Sequence, residues 1–419
     1  MSLSPYTLYG VSEQTASLAK TADEAVSSVY ERIDEVKTYN QLRILEVFRK
    51  HKFSEVHFGS TTGYGYDDIG REKLEAMFAE IFGAEAGYVR MQISSGTQAI
   101  SSMLYGLLRP GDELLSVTGR PYDTLASTIG LTEETYDGSL MNFGITYDEV
   151  ELKSDGTPDL EAIKSKISDK TKVVFIQKSR GYTGRRALLC EDIKAVADLV
   201  KSVRNDIIVA VDNCYGEFTE KQEPCAVGAD ICAGSLIKNP GGGICTTGGY
   251  VVGRKDLVEK VAQRITAPGL GSHVGPTLGF NSRIAQGIFM APHVVAECLK
   301  GAVFAAKMFE MSGLSTSPSS EEVRGDIVQT ITFNDDKKLV DFCGKIQACS
   351  PVDSFVTPEP WAMPGYEDQV VMAAGTFVQG ATTELSCDGP IKPPYIAYMQ
   401  GGLVSEQARL AVMLALSDT

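Results

Sequence analysis

The sequence contains little of what a metal site or a disulfide framework needs. No two of the nine cysteines are spaced Cys-x-x-Cys, so we expect reduced thiols and a cytoplasmic protein. No histidine stands at metal-ligand spacing from a second histidine or a cysteine, which argues against a zinc site. The four histidines among the 419 residues are His51, His57, His273 and His293.

Positive charge is also scarce. The chain has 39 lysines and arginines against 54 aspartates and glutamates, a formal net charge of -15, and its pI is near 4.9. This balance argues against binding to nucleic acid or to an anionic membrane. We also see no basic segment followed by an apolar run at the N-terminus, and no apolar stretch of roughly 20 residues. We therefore expect neither a signal peptide nor a membrane span.

The chain does contain a regular alternation of strand and helix patterns between residues 71 and 252. Apolar runs such as Ile207–Val211 predict strands buried on both faces, and amphipathic segments such as Arg71–Phe82 predict the helices between them. The pattern predicts an α/β fold with a parallel or mostly parallel sheet. We expect a helical arm over 1–55, a large domain over 56–290 and a smaller α+β domain over 291–419. Pro292 predicts a kink or break near Ala291 in a long helix over 281–312.

Three stretches of the large domain could carry chemistry. The Ser-Gly-Thr turn at Ser95, Gly96 and Thr97 joins a strand to a helix, where backbone N–H groups and the helix dipole favour a phosphate. A plain helix cap explains this turn equally well. Asp212 ends an apolar strand and needs a partner such as a protonated ring nitrogen. Its alternative role is to cap the following turn.

The third stretch is Ala233–Gly243, in which Lys238 stands before a proline and three glycines. A lysine can form an imine with an aldehyde, and we expect partial burial to lower its pKa. Ser235, three residues earlier, could add a hydroxyl to the same phosphate. A lysine in a turn is more often a solvated charge. Taken together, however, a phosphate cradle, an acid for a ring nitrogen and an imine lysine predict a pyridoxal phosphate site.

The chain resembles the fold-type I pyridoxal phosphate enzymes of cysteine and methionine metabolism, which implies a mostly parallel sheet of seven strands in the large domain. It is most similar to the branch called the methionine gamma-lyase-like or aluminium resistance protein family. The matching stretches span nearly the whole chain: Gly63–Arg71, Ser95–Gln98, Pro121–Thr124, Val211–Phe218, Gly234–Gly243, Met363–Tyr366 and Tyr398–Gly402.

The resemblance implies roles for individual residues. Lys238 would hold the cofactor covalently, Asp212 would pair with its ring nitrogen, and Tyr122 would stack on the ring. Further contacts are implied for a larger set. The phosphate would be held by Ser95, Gly96, Thr97 and Ser235; a phosphate in a neighbouring subunit would be reached by Tyr64, Tyr66 or Arg71; the ring oxygen and the substrate carboxylate would be met by Gln177, Ser179, Arg180 or Lys392.

The resemblance also implies an activity. We expect a carbon–sulfur lyase that acts on cysteine-, methionine- or cystathionine-type amino acids by β- or γ-elimination. We expect it to be a homodimer or homotetramer with shared active sites. The alternatives are a pyridoxal phosphate-dependent aminotransferase, or a cofactor-binding, stress-related protein with little turnover. Retention of both Lys238 and Asp212 weighs against the last of these.

Overall fold

The computed structural model describes residues 4–132, 137–362 and 368–417. The chain forms two compact units, a larger one of Asn40–Met290 and a smaller one of Met1–Tyr39 with Ala291–Thr419. The domain boundaries given above from the sequence remain a prediction. The N-terminal segment is helical, with α1 at Glu13–Ala25 and α2 at Ser27–Lys50.

The larger unit is built on a seven-stranded sheet. Its strands are β1 (Ala86–Arg90), β2 (Glu113–Ser116), β3 (Thr146–Glu149), β4 (Thr171–Gln177), β5 (Ile208–Asp212), β6 (Ile231–Ser235) and β7 (Gly249–Gly253). Their order is β1-β7-β6-β5-β4-β2-β3, and only β7 runs antiparallel to its neighbours. The predicted mostly parallel α/β architecture is therefore confirmed. Strand β3 is an edge strand with no buried residue, so it has no apolar run from which the sequence could predict it.

Helices pack on this sheet because their apolar faces cover strands that are buried along their length. They are α3 (Ile69–Ile81), α4 (Gly96–Leu107), α5 (Asp123–Ile129), α6 (Leu160–Lys166), α7 (Cys190–Val203) and α8 (Lys255–Ile265). Ile100 and Met103 of α4 belong to the same core cluster as Phe175, Ala210 and Ala233 of the central strands. Burial of each large apolar side chain contributes about 1.5–3 kcal/mol. This core fixes α4 against β5 and β6.

Helix α9 (Asn281–Met311) contains Pro292 and continues through it without interruption. Of the kink or break predicted near Ala291, the break is therefore wrong and the kink remains a prediction. Buried residues on both sides of the proline, among them Ile288 and Val295, stabilise the helix although Pro292 cannot donate a backbone hydrogen bond. By length and composition alone, α9 could also span a membrane, with a mean hydropathy of 1.4. We did not predict from the sequence that this helix passes the length and composition test for a membrane span. In the structure, 72% of its most apolar stretch is buried.

The smaller unit contains a five-stranded antiparallel sheet in the order β10-β11-β12-β9-β8. Its core contains Phe309, Phe333 and Phe342, whose ring centroids lie 5.3–5.7 Å apart. The mixture of antiparallel strands and helices is the predicted α+β type. Its elements are β8 (Ser315–Ser317), β9 (Val328–Thr332), α10 (Asp336–Ala348), β10 (Val370–Ala373), β11 (Ser386–Pro390), β12 (Ile396–Gln400) and α11 (Ser405–Ser417).

Replacement of Phe342 by alanine should destabilise the smaller unit by about 3–5 kcal/mol, because it leaves a cavity between two aromatic rings. Denaturant unfolding followed by circular dichroism measures this change. Phe377→Ala is the matched control, since Phe377 is 68% exposed and its loss should cost less than about 0.5 kcal/mol. Equal effects of the two substitutions would contradict this description of the core.

Candidate active site

Polar side chains lie at the carboxyl ends of the neighbouring strands β4, β5 and β6. Gln177, the last residue of β4, lies opposite Asp212, the last residue of β5. Asp212 in turn lies opposite Ala233 of β6, and Ser235 ends that strand. Because parallel strands end at the same edge of a sheet, these side chains line one crevice, where open α/β sheets bind ligands.

Lys238 enters this crevice from the turn that follows β6. Its backbone N–H donates to Ser235 O at 3.4 Å, and its carbonyl accepts from Gly241 N at 3.1 Å. A side chain at Gly241 would overlap the carbonyl oxygen of Leu236, so the turn requires glycine there. The glycines after Lys238 thus close a tight turn that fixes where the lysine begins.

The N-terminus of α4 faces the same place. Ser95 caps the helix by accepting from Gln98 N at 3.0 Å. A Cβ atom added at Gly96 would lie 3.2 Å from Cys214 Sγ and 3.7 Å from Lys238 Nζ. The lysine nitrogen therefore lies close to a helix N-terminus that no side chain at residue 96 obstructs. Such a terminus favours an anion.

Asp212 lies behind this space. It is 4% exposed, and Cys214 N donates to its Oδ1 at 3.0 Å. Burial raises the pKa of the Asp212 carboxyl, and the nearby Lys238 charge opposes that increase. Within the described part of the chain Asp212 forms no ion pair with a lysine or arginine. A buried carboxyl of this kind fits a cationic ring nitrogen as its partner.

Lys238 itself is partly buried. Burial disfavours its ammonium form, but the acidic groups of Cys214, Tyr215 and Asp212 outweigh that cost, and the pKa of Lys238 lies above its ordinary value. The expectation from sequence that burial would lower this pKa is wrong for the chain without a cofactor, because the surrounding acidic groups could not be foreseen from the turn alone.

Tyr122 and Gln177 lie beside the crevice and are joined to it by hydrogen bonds. The backbone N–H of Tyr122 donates to Gln177 Oε1 at 3.2 Å, and the phenol of Tyr122 donates to Thr97 Oγ1 at 3.4 Å. Burial raises the pKa of the Tyr122 phenol, so this group stays neutral at ordinary pH. The structure thus brings Tyr122, Thr97 and Gln177 together.

Ser179 and Arg180 follow β4 and are both buried. Ser179 Oγ accepts from Gly181 N at 3.3 Å. The guanidinium of Arg185, a residue that the sequence analysis did not select, donates to the carbonyl of Gln177 at 2.8 Å and to that of Ser179. Its charge also opposes the increase that burial causes in the pKa of Asp212. No motif in the sequence singles out Arg185, because it acts through its position beside β4.

The three residues predicted to reach a neighbouring subunit differ in their surroundings. Arg71 is buried, and its guanidinium donates to the carbonyls of Gly65, Gly275 and His273. Its direct contact with a phosphate remains a prediction, while the structure shows it fixing a loop. Tyr64 and Tyr66 lie on that loop, are 62% and 56% exposed, and stack with ring centroids 5.3 Å apart.

Two further expectations concern the last third of the chain. Lys392 belongs to the smaller unit, where its Nζ lies 3.0 Å from Asp368 Oδ2. Its proposed contact with a substrate carboxylate remains a prediction. The Met363–Tyr366 stretch that contributed to the resemblance lies outside the described residues.

Two more residues near Lys238 were not selected from the sequence, although they stand in the Val211–Phe218 stretch. The ring of Tyr215 has its centroid 3.9 Å from Lys238 Nζ. Glu217 is fully buried, and its Oε1 accepts from the phenol of Tyr250 at 2.7 Å. Burial raises the pKa of Glu217 to about 8. The signal that could have found it is a second acidic residue in the short stretch that follows the apolar strand and begins with Asp212.

The fold and the site together define an α/β protein of the pyridoxal phosphate-dependent, fold-type I class. At the level of fold alone, the chain is similar to the pyridoxal-5'-phosphate dependent protein YhfS of Escherichia coli, with a TM-score of 0.62 and 18% identity over 92% of this chain and 96% of that one.

The family is shown by closer matches. Residues 15–419 match the family described as methionine gamma-lyase, and the chain belongs to this family. It is 50% identical over 404 residues to the uncharacterized protein YnbB of Bacillus subtilis strain 168, with 96% of each chain covered.

Two solved structures are similar over almost their whole length. A carbon-sulfur lyase involved in aluminium resistance from Clostridium novyi NT has a TM-score of 0.94 and 48% identity, covering 98% of this chain and 97% of that one. A candidate cystathionine beta-lyase involved in aluminium resistance from Listeria monocytogenes has a TM-score of 0.94 and 47% identity, covering 96% and 99%.

Replacement of Glu217 by glutamine should change how stability depends on pH. The folded chain keeps a proton on Glu217 up to about pH 8, whereas the unfolded chain loses it near 4.5. Glu217 therefore makes the native state less stable as pH rises between these values, and above about 8 the penalty is constant. Glutamine retains an acceptor for Tyr250 and has no such penalty.

The midpoint of thermal unfolding, measured from pH 5 to pH 8.5 for both proteins, checks this. Relative to the wild type, the Glu217→Gln protein should gain stability steadily as pH rises. A difference between the two proteins that does not vary with pH would show that Glu217 is ionised throughout this range.

Proposed function

We propose that the protein is a pyridoxal phosphate-dependent carbon–sulfur lyase, with the cofactor bound covalently through Lys238. The observation that supports this most directly is the position of the Lys238 nitrogen, which lies close to an unobstructed helix N-terminus and within the electrostatic influence of a buried carboxyl. An amine, an anion site and an acid are the three groups that this cofactor needs.

The phosphate would be held at the N-terminus of α4. Gly96 and Thr97 begin that helix, with Ser95 as the cap, and Ser235 lies close to it, since a Cβ at Gly96 would be 3.5 Å from Ser235 Cβ. The absence of a side chain at Gly96 leaves the cradle open, because a Cβ there would meet Cys214 and Ser235 as well as Lys238. Donors and space therefore both fit a phosphate group.

The ring would be held between Asp212 and Tyr122. A protonated ring nitrogen would give Asp212 the cationic partner that the described residues do not provide, and Tyr122 would lie against the ring face. Gln177 would contact the ring oxygen. Its Oε1 accepts a hydrogen bond from the backbone N–H of Tyr122 at 3.2 Å, which places the Gln177 side chain beside Tyr122.

When bound, pyridoxal phosphate supplies an electron sink that stabilises negative charge at the substrate α-carbon. Once the amino group of the substrate had displaced Lys238 from the cofactor, the free Lys238 Nζ would act as the proton carrier, removing the proton from that carbon and returning it at a later step. Asp212 would hold its negative charge against the ring nitrogen. Arg180 and Ser179, buried beside Gln177, would bind the substrate carboxylate.

We also propose that the functional protein is a homo-oligomer whose subunits share active sites. Tyr64 and Tyr66 support this, because two large aromatic rings stand exposed and stacked on a loop that Arg71 fixes. The two phenols are thus available to a neighbouring subunit. A cytoplasmic location is also proposed, because no two of the nine cysteines are spaced Cys-x-x-Cys and reduced thiols are therefore expected.

The names of the relatives support elimination at a carbon–sulfur bond as the reaction. The Clostridium novyi protein at 48% identity is named a carbon-sulfur lyase, and the family is that of methionine gamma-lyase. The alternative, an aminotransferase, would use the same lysine and the same acid. The two are separated by their products, because elimination releases a thiol and ammonia whereas transfer needs a keto acid as acceptor.

Replacement of Lys238 by alanine should abolish the visible absorbance of purified protein and reduce thiol release at least about a hundredfold. Absorbance spectra and a thiol assay with cystathionine, cysteine, homocysteine and methionine check this. Lys194→Ala is the matched control, since Lys194 lies on the surface of α7 and pairs with Asp198. The contrary outcome is a wild-type protein that shows the visible band, releases no thiol from any of the four, and transfers the amino group of an amino acid to a keto acid. Such a protein would be an aminotransferase.

Replacement of Gly96 by alanine should weaken binding of pyridoxal phosphate about 10- to 100-fold. The added methyl group would crowd the cradle at a cost of about 1–3 kcal/mol. Titration of cofactor-free protein with pyridoxal phosphate, followed by absorbance, measures the affinity. Gly184→Ala serves as control, because a Cβ there meets nothing within 4 Å. An unchanged affinity in Gly96→Ala would place the phosphate elsewhere.

A further inference from the structure

The aromatic ring of Tyr215 lies against the side-chain nitrogen of Lys238. The distance from Nζ to the ring centroid is 3.9 Å, well within the range of a cation–π contact. Tyr215 stands three residues after β5 and Lys238 three residues after β6. The pairing of β5 with β6 therefore brings the two side chains together.

The loop that carries Tyr215 is fixed in an uncommon conformation. Tyr215 has a φ of +71°, a left-handed backbone that side chains other than glycine rarely adopt. Asn239 Nδ2 donates to the carbonyls of Tyr215 and Glu217 at 3.0 and 2.9 Å. Lys178 Nζ donates to the carbonyl of Gly216 at 3.2 Å. These two side chains thus fix the backbone of the loop, and the backbone fixes the position of the ring.

We propose that Tyr215 is a further catalytic residue, whose ring face holds the Lys238 ammonium during turnover. The inference rests on the proposed function, because it requires Lys238 to act as proton carrier. When Lys238 Nζ removes a proton from the substrate, the electron pair of the C–H bond stays on carbon and the amine becomes an ammonium. The negative face of the ring stabilises that charge until the proton is returned.

Several other groups act on the charge of Lys238, and a test has to keep them constant. Tyr215 is the one among them that places a ring face against Nζ in the described residues. The others are Asp212, Cys214, Tyr122 and Glu217.

The test compares Tyr215→Gly with Tyr215→Phe in the full-length chain freed of cofactor. Glycine accepts a left-handed backbone without strain, so the first variant removes the ring and relieves the loop. Phenylalanine keeps the ring face and removes only the hydroxyl. The rate at which an amine-acylating reagent modifies Lys238, followed by mass spectrometry from pH 8 to pH 12.5, a range that extends above the ordinary pKa of lysine, gives the pH midpoint of that amine. The pH dependence reports protonation even if access to the amine changes.

Tyr215→Gly should lower the midpoint by about one pH unit, and Tyr215→Phe should leave it within about 0.3. An unchanged midpoint in Tyr215→Gly would overturn the proposal, and so would an equal shift in Tyr215→Phe, since the hydroxyl would then be responsible. If Tyr215→Gly loses its circular dichroism, Tyr215→Asn takes its place, because asparagine also tolerates this backbone. The measurement uses no cofactor and no turnover, so its outcome is independent of whether the protein is a lyase.

Discussion

The burial of an uncompensated carboxyl at the end of β5 is the constraint on which the rest of the site depends. Asp212 is surrounded by apolar strand and receives one backbone hydrogen bond. A carboxyl in that position favours any cation that can approach it, because the surrounding medium screens charge weakly. Lys238 provides a positive charge in the crevice of the chain alone, and the ring nitrogen of the proposed cofactor would provide one closer by.

The loop after Asp212 is stabilised by polar groups that are themselves buried. Lys178 is fully buried and lies 3.0 Å from Glu220, and Glu220 also accepts from the backbone of Cys190. A buried ion pair contributes little net stability, but removal of one partner leaves a charge without compensation. This pair is therefore best understood as a device that specifies one loop conformation and, with it, the position of Tyr215 under Lys238.

The sequence predicts the order of strands and helices well because buried parallel strands are almost wholly apolar. In β5, every residue before the final Asp212 is apolar. It misses β3 and the course of α9 through Pro292, where tertiary packing rather than local pattern decides. Lys238 and Asp212 stand out because a lysine before three glycines and a carboxyl after an apolar strand are locally unusual. Arg185 and Tyr215 do not, since their roles arise from contacts across neighbouring strands.

The net charge of the chain shows why composition alone is a poor guide to the ligand. A charge of -15 opposes an anionic cofactor only at a distance, and at about 0.1 M salt that repulsion is screened within roughly 10 Å. Inside the larger unit, Lys178 and Arg180 are buried, and so are acids such as Asp212 and Glu217. The charge that a ligand meets is thus decided locally, by buried groups of both signs and by the end of α4, which act at short range with little screening. An anionic ligand is therefore compatible with an acidic protein, provided that it binds where these groups are.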